Sequence, residues 1–492
     1  MKRIFAAVLA GMLLLAGCSG GGKTVLLDVY QPELPEIVLT SQIGLLIDGS
    51  GNLYSWGYDD YNAGSEGYGK TSLGQGKEVL YNNIPTEIYS GVAFAESGSR
   101  GVTKSGELIE WGKLLEDDSC VPVVVRENVA KMNWILYLTK DHELWTIPAQ
   151  EDLLQKEAYA DSGELVLTDV RDFLSGYTYF ALKDDGSVWT FLINGYGEIV
   201  ERPKKLLDDV VKLYSGNSTT SAALFLKDDE TLWSYGGNEY GQCGNGEHGD
   251  FDVKTQDCVV TEPYQMAENV TEAWANSDTT YYLTADNSLY ACGKNFNDLL
   301  MLGENGQMNP YDFPAFTATP VLLMENVRQM QQSGEGFFVL KTDNTLWSWG
   351  YADKGILGGG VCYEGDDLSA GNFSDRKKAK EALYSQPTQI MKNVERLFTE
   401  TAGLYFVQKT DGSIWYWGFG SIYVDKEDDW DKQETAWQNA EGEYISAYLK
   451  YYIIPTPVEF SIETFFQNAL DSIAAREGID TAQYQAVKYI DE

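Results

Sequence analysis

Short apolar runs alternate with polar turns along most of this chain, and the alternation recurs with a fixed grammar. Two clear copies are Leu340-Lys341-Thr342-Asp343-Asn344-Thr345-Leu346-Trp347-Ser348-Trp349-Gly350 and Val407-Gln408-Lys409-Thr410-Asp411-Gly412-Ser413-Ile414-Trp415-Tyr416-Trp417-Gly418. In each unit a second apolar run opens on an aliphatic anchor: Leu53, Leu108, Leu144, Val188, Leu232, Leu289, Leu346 and Ile414. Three places before it stands Ser50, Ser105, Asp141, Asp185, Asp229, Asp286, Asp343 or Asp411. Two places before it stands Gly51, Gly106, His142, Gly186, Glu230, Asn287, Asn344 or Gly412. Such pairs between apolar runs predict tight β-hairpins, because the turn needs φ > 0 and Gly or Asn reaches it at least cost.

Three places after the anchor comes a bulky position: Trp56, Trp111, Ile147, Phe191, Tyr235, Cys292, Trp349 or Trp417. A glycine follows it in six copies, which predicts a bulge or a close backbone approach. Polar-Val pairs such as Asn128-Val129, Asp169-Val170, Asp209-Val210, Asn269-Val270, Asn326-Val327 and Asn393-Val394 open a further strand upstream. Strands carrying proline, as at Pro320-Val321 and Pro387-Thr388, precede those pairs. Each unit therefore supplies about four short strands, the content of one propeller blade.

This grammar resembles the RCC1 (regulator of chromosome condensation) repeat. The fifth copy follows that pattern furthest, through Ser234-Tyr235-Gly236-Gly237-Asn238-Glu239-Tyr240-Gly241-Gln242-Cys243-Gly244, with weaker endings at Leu73-Gly74, Leu302-Gly303 and Leu357-Gly358. The resemblance implies an all-β, RCC1-like β-propeller over residues 36–460. Eight units are present and the family usually builds seven blades, so seven or eight are expected. The short third unit lacks Trp-Gly and reads either as a degenerate blade or as a hairpin outside the ring. The Pro455–Phe460 segment is expected to close the ring against the first unit. Beyond it the period changes. Thr464 and Gln467 form a capping box, Phe466, Leu470 and Ile473 share a helical face, and Gly478 suits a stop. Residues 461–492 are thus read as a helical tail packed on the propeller, with a second short helix over 481–489.

The start of the chain changes the picture of where it works. Met1-Lys2-Arg3 precedes an apolar run, which ends at Leu15-Ala16-Gly17-Cys18. This is a secretory signal over residues 1–17, too short to span a membrane. Its ending resembles the bacterial lipobox, which implies acylation of Cys18. Residues 18–35 then hold the lipidated cysteine and a flexible tether. The expected address is the bacterial envelope, at the outer membrane or the cell surface according to the cell type. The 492-residue chain has a net charge of −38, and loss of Lys2 and Arg3 makes it two units more negative. Such a surface repels nucleic acid, whose binding rests on Lys and Arg.

Candidate chemistry is sparse. Of the two histidines, His142 fills a hairpin-turn slot and His248 lies in the insert Gly244–Asp250. Neither accompanies a nucleophile or zinc motif. The run Asp425–Asp431 lacks the sixth-place glycine and twelfth-place acid of an EF-hand. Five cysteines besides Cys18 show no C-x-x-C spacing. Cys243 and Cys292 stand where the repeat has Leu and Trp and read as packing residues, with a Cys243–Cys258 disulfide left open. No catalytic, cofactor or metal residue is assigned.

The inserts that interrupt the repeat are Tyr58–Asn83, Gly241–Thr261, Asn295–Thr319, Tyr351–Ser385 and Phe419–Ile454. Loops on a rigid scaffold carry function. Their aromatics Tyr58, Tyr61, Tyr68, Tyr311, Tyr363, Trp430 and Trp437 are the candidate partner contacts, with Phe373 beside them. The sequence therefore reads as a monomeric, non-enzymatic binding module without a cofactor, which presents its loops to a protein or glycan. A carbohydrate hydrolase using loop carboxylates and a structural envelope spacer are the alternatives.

Overall fold

Each of the eight anchors is the first residue of a strand in the computed structural model of the chain. Residues 26–30, 37–39, 43–47, 50–58, 73–76, 81–96, 99–112, 120–147, 163–175, 178–216, 221–249, 259–276, 278–295, 299–302, 315–333, 336–350, 357, 385–398, 404–422, 437–438, 449–458, 485–486 and 488–489 are described. Blade 1 holds β1 (Ile37–Leu39), β2 (Ile43–Ile47), β3 (Leu53–Tyr58) and β4 (Tyr81–Tyr89). Blade 2 holds β5 (Val92–Glu96), β6 (Arg100–Thr103), β7 (Leu108–Glu110) and β8 (Val123–Arg126). Blade 3 holds β9 (Val129–Met132), β10 (Leu136–Thr139), β11 (Leu144–Thr146) and β12 (Leu165–Leu167). Blade 4 holds β13 (Val170–Ser175), β14 (Tyr179–Lys183), β15 (Val188–Ile193) and β16 (Ile199–Leu207). Blade 5 holds β17 (Val210–Ser215), β18 (Ala222–Lys227), β19 (Leu232–Gly237) and β20 (Val259–Ala267). Blade 6 holds β21 (Val270–Ala275), β22 (Thr279–Thr284), β23 (Leu289–Lys294) and β24 (Phe316–Met324). Blade 7 holds β25 (Val327–Ser333), β26 (Gly336–Lys341), β27 (Leu346–Gly350) and β28 (Ser385–Met391). Blade 8 holds β29 (Val394–Leu397), β30 (Leu404–Lys409), β31 (Ile414–Ile422) and β33 (Leu449–Val458), with β32 (Trp437–Gln438) in its insert. Each set forms one antiparallel four-stranded sheet, and the sheets are the blades of an all-β propeller.

The third unit, read as degenerate or external, is a complete four-stranded blade. It has lost its Trp-Gly, yet its ladder is complete, and Ile147 at the tryptophan position is buried. Pro455–Val458 lies within β33, so this segment is the outer strand of blade 8 rather than a closing strand against the first unit. The second tail helix is also corrected. Within 481–489 the described residues form β34 (Gln485–Ala486) and β35 (Lys488–Tyr489). β34 pairs with β32, and β35 pairs with β4 as a fifth strand of blade 1. The span from Thr464 to Gly478 lies outside the described residues.

The hairpin turns owe their shape to the positions that the sequence singled out. Gly51, Gly106, His142, Gly186, Glu230, Asn287, Asn344 and Gly412 all have positive φ. Asn128, Asp169, Asp209, Asn269, Asn326 and Asn393, which precede the blade-opening valines, do too. In blades 4, 5, 7 and 8 the turn is braced by one chain of side chains. The Ser187, Thr231, Thr345 or Ser413 hydroxyl donates to Asp185, Asp229, Asp343 or Asp411 at 2.6 Å. The Trp189, Trp233, Trp347 or Trp415 indole then donates to that hydroxyl oxygen at 2.8–3.0 Å. Lys183, Lys227, Lys341 and Lys409 lie over the same four rings.

Blades are joined through the same turns. The amides of Val92, Val129, Val170, Val210, Val270, Val327 and Val394 donate to the carbonyls of Gly51, Gly106, His142, Gly186, Glu230, Asn287 and Asn344 at 2.8–3.0 Å. Each bond runs from the opening residue of one blade to the turn of the blade before. Among the described residues apolar clusters fill the junctions from blade 1 through to blade 8: Leu53 with Trp111 between blades 1 and 2, for example, and Tyr281 with Trp349 between blades 6 and 7. The core is thus a set of slabs between neighbouring sheets.

The N-terminal stretch is not wholly a free tether. The amide of Leu27 donates to the Lys140 carbonyl at 2.9 Å, and that of Tyr30 donates to Ala130 at 2.8 Å. Val29 is buried in the cluster between blades 2 and 3, and the Tyr30 ring meets Phe94 edge-on at 5.4 Å. Apolar Leu27 and Val29 gain more from this burial than the backbone loses in freedom.

Candidate interaction face

Antiparallel order sorts every connection to one of two ends of the propeller. The hairpin turns between second and third strands, and the links from one blade to the next, lie at one end, here the turn face. Connections between first and second strands and between third and fourth strands lie at the other. All five inserts join a third strand to a fourth: β3 to β4, β19 to β20, β23 to β24, β27 to β28 and β31 to β33. They therefore leave from one face, at blades 5 to 8 and blade 1.

The described corners of these inserts are tied back to the third strands of their own blades. Ser234 and Ser348 hydroxyls donate to the carbonyls of Cys243 at 2.8 Å and Leu357 at 2.7 Å, and Ser55 does the same to Leu73. Asn238 accepts the Cys243 amide at 2.9 Å and Asn295 accepts the Leu300 amide at 2.8 Å. The corner in blade 6 is thus Leu300-Met301, with Met301 at φ 52 where blade 5 has Gly244 at φ 68. The sequence pointed instead to Leu302-Gly303, because only a glycine advertises that conformation. Outer strands bulge opposite the third-strand glycines, and Pro85, Pro263, Pro320, Pro387 and Pro455 sit in those bulges. A proline there lacks the N–H that an added strand would need.

Two aromatics that the sequence reading missed stand on this face. Trp134, 64% exposed, tips the first hairpin of blade 3. Asn133 Oδ1 accepts the Ile135 and Leu136 amides at 3.0 and 2.8 Å, which fixes the hairpin. Arg100 of blade 2 donates to the Trp134 carbonyl at 2.9 Å and holds its guanidinium 5.9 Å from the indole. Arg100 is itself pinned by Glu110 at 2.6 Å, and both are buried. Tyr196, 61% exposed, tips the short turn of blade 4, where Asn194 Oδ1 accepts the Tyr196 and Glu198 amides at 3.0 Å. The available signal was an Asn one or two places before an aromatic, at short turns outside the inserts that the sequence reading singled out. Lys294 stands 4.6 Å over the Tyr240 ring and pairs with Asp278 at 3.0 Å, between the inserts of blades 5 and 6.

Of the candidate contacts read from sequence, Tyr58 ends β3 with its main chain paired to Tyr81, and Trp437 pairs with Ala486. Cys18, Tyr61, Tyr68, Tyr311, Tyr363, Phe373 and Trp430 lie outside the described residues, as do Asp425–Asp431, Cys258 and Cys362. Cys120, Cys243 and Cys292 are buried. His142 bonds Asp184 of the next blade at 3.0 Å, and exposed His248 packs on Phe316.

The turn face is acidic and differently built. Hydrogen bonds from Ser187, Thr231, Thr345 and Ser413, and from Thr284 and Ser288, hold Asp185, Asp229, Asp343, Asp411 and Asp286 below the usual carboxylate range. These aspartates stay ionised, which suits a turn brace and is the reverse of what a proton donor needs. A cavity of about 540 Å³ between blades 5 and 6 is lined by Glu268, Tyr282, Asp286 and Tyr290. Among the described residues no group of three or more His, Cys, Asp or Glu side chains is gathered to hold a metal ion.

No family model matches the chain. Among solved structures it is similar to Prp20p from Saccharomyces cerevisiae, a protein whose binding to Gsp1p and histones has been described. The two are 17% identical over 74% of this chain and 80% of that one, with a TM-score of 0.42. The structure of Kap60 bound to yeast RCC1 (Prp20) matches at 15% identity over 97% of this chain and 100% of that one, with a TM-score of 0.43. Human WBSCR16 matches at 15% over 80% and 78%, with a TM-score of 0.37. The blade count and strand order rest on the chain's own ladders and not on these likenesses.

Proposed function

We propose that this protein is a non-enzymatic binding module, held on a bacterial envelope by a lipid on Cys18, that docks a protein partner on its insert face. One observation carries the docking: five inserts leave the same face, and the neighbouring blades add the rigid aromatics Trp134 and Tyr196 to it. Exposed Trp and Tyr on fixed backbone are the residues that anchor protein interfaces. The net charge of −38 favours a basic partner and a salt-sensitive encounter. The tether supports the orientation. Leu27 docks at Lys140 on the turn face, and the segment between Cys18 and Leu27 reaches at most about 30 Å. The turn face therefore stands near the bilayer and the insert face looks away from it.

The test is capture by the immobilised chain from Ser19 onward, at low and high salt. A single protein retained at low salt, and lost by Trp134→Ala and Tyr196→Ala, supports the reading. Retention unchanged in both variants sinks the assignment of this face, and an empty capture in every buffer sinks protein docking. Incorporation of labelled palmitate that disappears in Cys18→Ala supports the anchor, and label that persists in the variant excludes Cys18. A glycan reading has one observation in its favour. The Tyr282 and Tyr290 rings stack 5.2 Å apart beside Glu268 and Asp286 in the turn-face cavity. Saccharide binding there would be lost in Tyr290→Ala while protein capture persists.

A further inference from the structure

Cys243 and Cys292 occupy two positions that three other junctions fill with a bulky pair. The insert corner of one blade there meets the bulky third-strand position of the next. A Cβ on Gly74, the residue after Leu73, would stand 3.1 Å from the Trp111 ring. The Trp349 indole donates to the Leu299 carbonyl at 3.0 Å, and Leu357 shares a cluster with Trp417. At the junction of blades 5 and 6 the same meeting brings two thiols together. Cys292 Sγ donates to the Gln242 carbonyl at 3.5 Å. It also lies 3.4 Å from the place a Cβ on Gly244 would take. The sulfur of Cys292 thus rests against the residues on both sides of Cys243. Both thiols are free and fully buried, and Cys243 Sγ points to the Gly237 carbonyl at 3.4 Å.

We propose that Cys243 and Cys292 join in a disulfide that staples blade 5 to blade 6 beneath the insert face. Losing bulk at both partners of one contact fits a chain that gains a covalent link in its place. The oxidant is a thiol–disulfide exchange partner, either an oxidised protein dithiol or a low-mass disulfide. One cysteine thiolate attacks its S–S bond and releases one thiol, leaving a mixed disulfide. The second thiolate then attacks the cysteine sulfur and releases the other thiol. Two electrons pass to the oxidant, whose two sulfurs leave as thiols carrying the two protons lost by the cysteines. Timing follows from burial. Burial pushes the Cys243 thiol up to about 12 and raises that of Cys292 as well. The thiolate is the attacking species, so the exchange belongs to the chain before blades 5 and 6 close, in an oxidising compartment outside the cytosol.

The test uses the full exported chain, denatured with an alkylating agent and no reductant, then digested and weighed. The expected product is a linked pair of peptides containing Cys243 and Cys292, lighter by two hydrogen atoms than the separate pair. In Cys292→Ser the Cys243 peptide should be recovered alkylated. Recovery of both cysteines alkylated from the unreduced wild type overturns the proposal. So does a Cys243 peptide that stays linked in Cys292→Ser, because its partner is then Cys258 or another cysteine. Neither result depends on whether the insert face binds a protein.

Discussion

Glu230 and Gly412 hold the same place in their hairpins, with φ of 64° and 88°, and they test the turn from opposite sides. A side chain in the left-handed region costs about 1–2 kcal/mol, part of which glycine returns as lost chain entropy. Glu230→Gly should therefore stabilise the protein by roughly 0.5–1 kcal/mol. Nothing lies within 4 Å of a Cβ added at Gly412, so Gly412→Ala isolates the backbone cost and should destabilise by about 1–2 kcal/mol. Denaturant midpoints at constant slope measure both. The braced aspartates set a pH response. Asp229, Asp343 and Asp411 have folded values below their unfolded value of about 3.9, so their stabilisation is complete above that pH. It is lost as pH falls through the folded values. Unfolding midpoints taken from pH 5 downward should drop. The drop should be shallower in a variant with all three replaced by Asn, and an equal slope would show that the bracing is not the cause.

A blade is stabilised less by its own ladder than by what its neighbour sets against it. Trp347 and Trp349 lie two residues apart on β27 and face different surroundings. Trp349 is fully buried between blades 6 and 7, stacked on Phe337 at 4.4 Å and bonded to Leu299. Trp347 is only partly buried, over the turn, with Lys341 above it. Trp349→Ala should cost about 3–5 kcal/mol through the cavity it opens. Trp347→Ala should cost clearly less, and equal losses on chemical denaturation would contradict the slab-like core. The sequence marked both tryptophans as one motif. It could not separate them, because burial at a junction depends on the adjacent blade.

At the scale of the whole molecule, the repeated junctions make the blades interdependent, and the chain ends add bonds of a different kind. The Leu26–Tyr30 segment ties blades 2 and 3, while β34 and β35 run from the blade 8 insert to the outer edge of blade 1. An outer strand edge is the kind that invites another chain, and β35 covers part of this one. Deleting residues 481–492 should lower the thermal midpoint by several degrees and raise light scattering on heating. A truncated protein with an unchanged melt and no added scattering would mean that the fifth strand contributes nothing to closure.

The sequence by itself determined the eight hairpins, their anchors and their left-handed turn residues, down to His142 and Glu230 in slots that elsewhere hold Gly or Asn. These are local matters: a period of two, and a φ that few residues reach cheaply. Only the tertiary structure decided what lies across a junction. It made the third unit a full blade, moved the blade 6 corner to Leu300-Met301, and turned Gln485–Tyr489 into strands. It also docked Leu27 and Val29, raised Trp134 on the buried Arg100–Glu110 pair, and set Cys292 against Cys243. Each of these depends on residues tens of positions apart meeting between sheets. Local propensity is silent there, and the packing of one blade on the next settles the outcome.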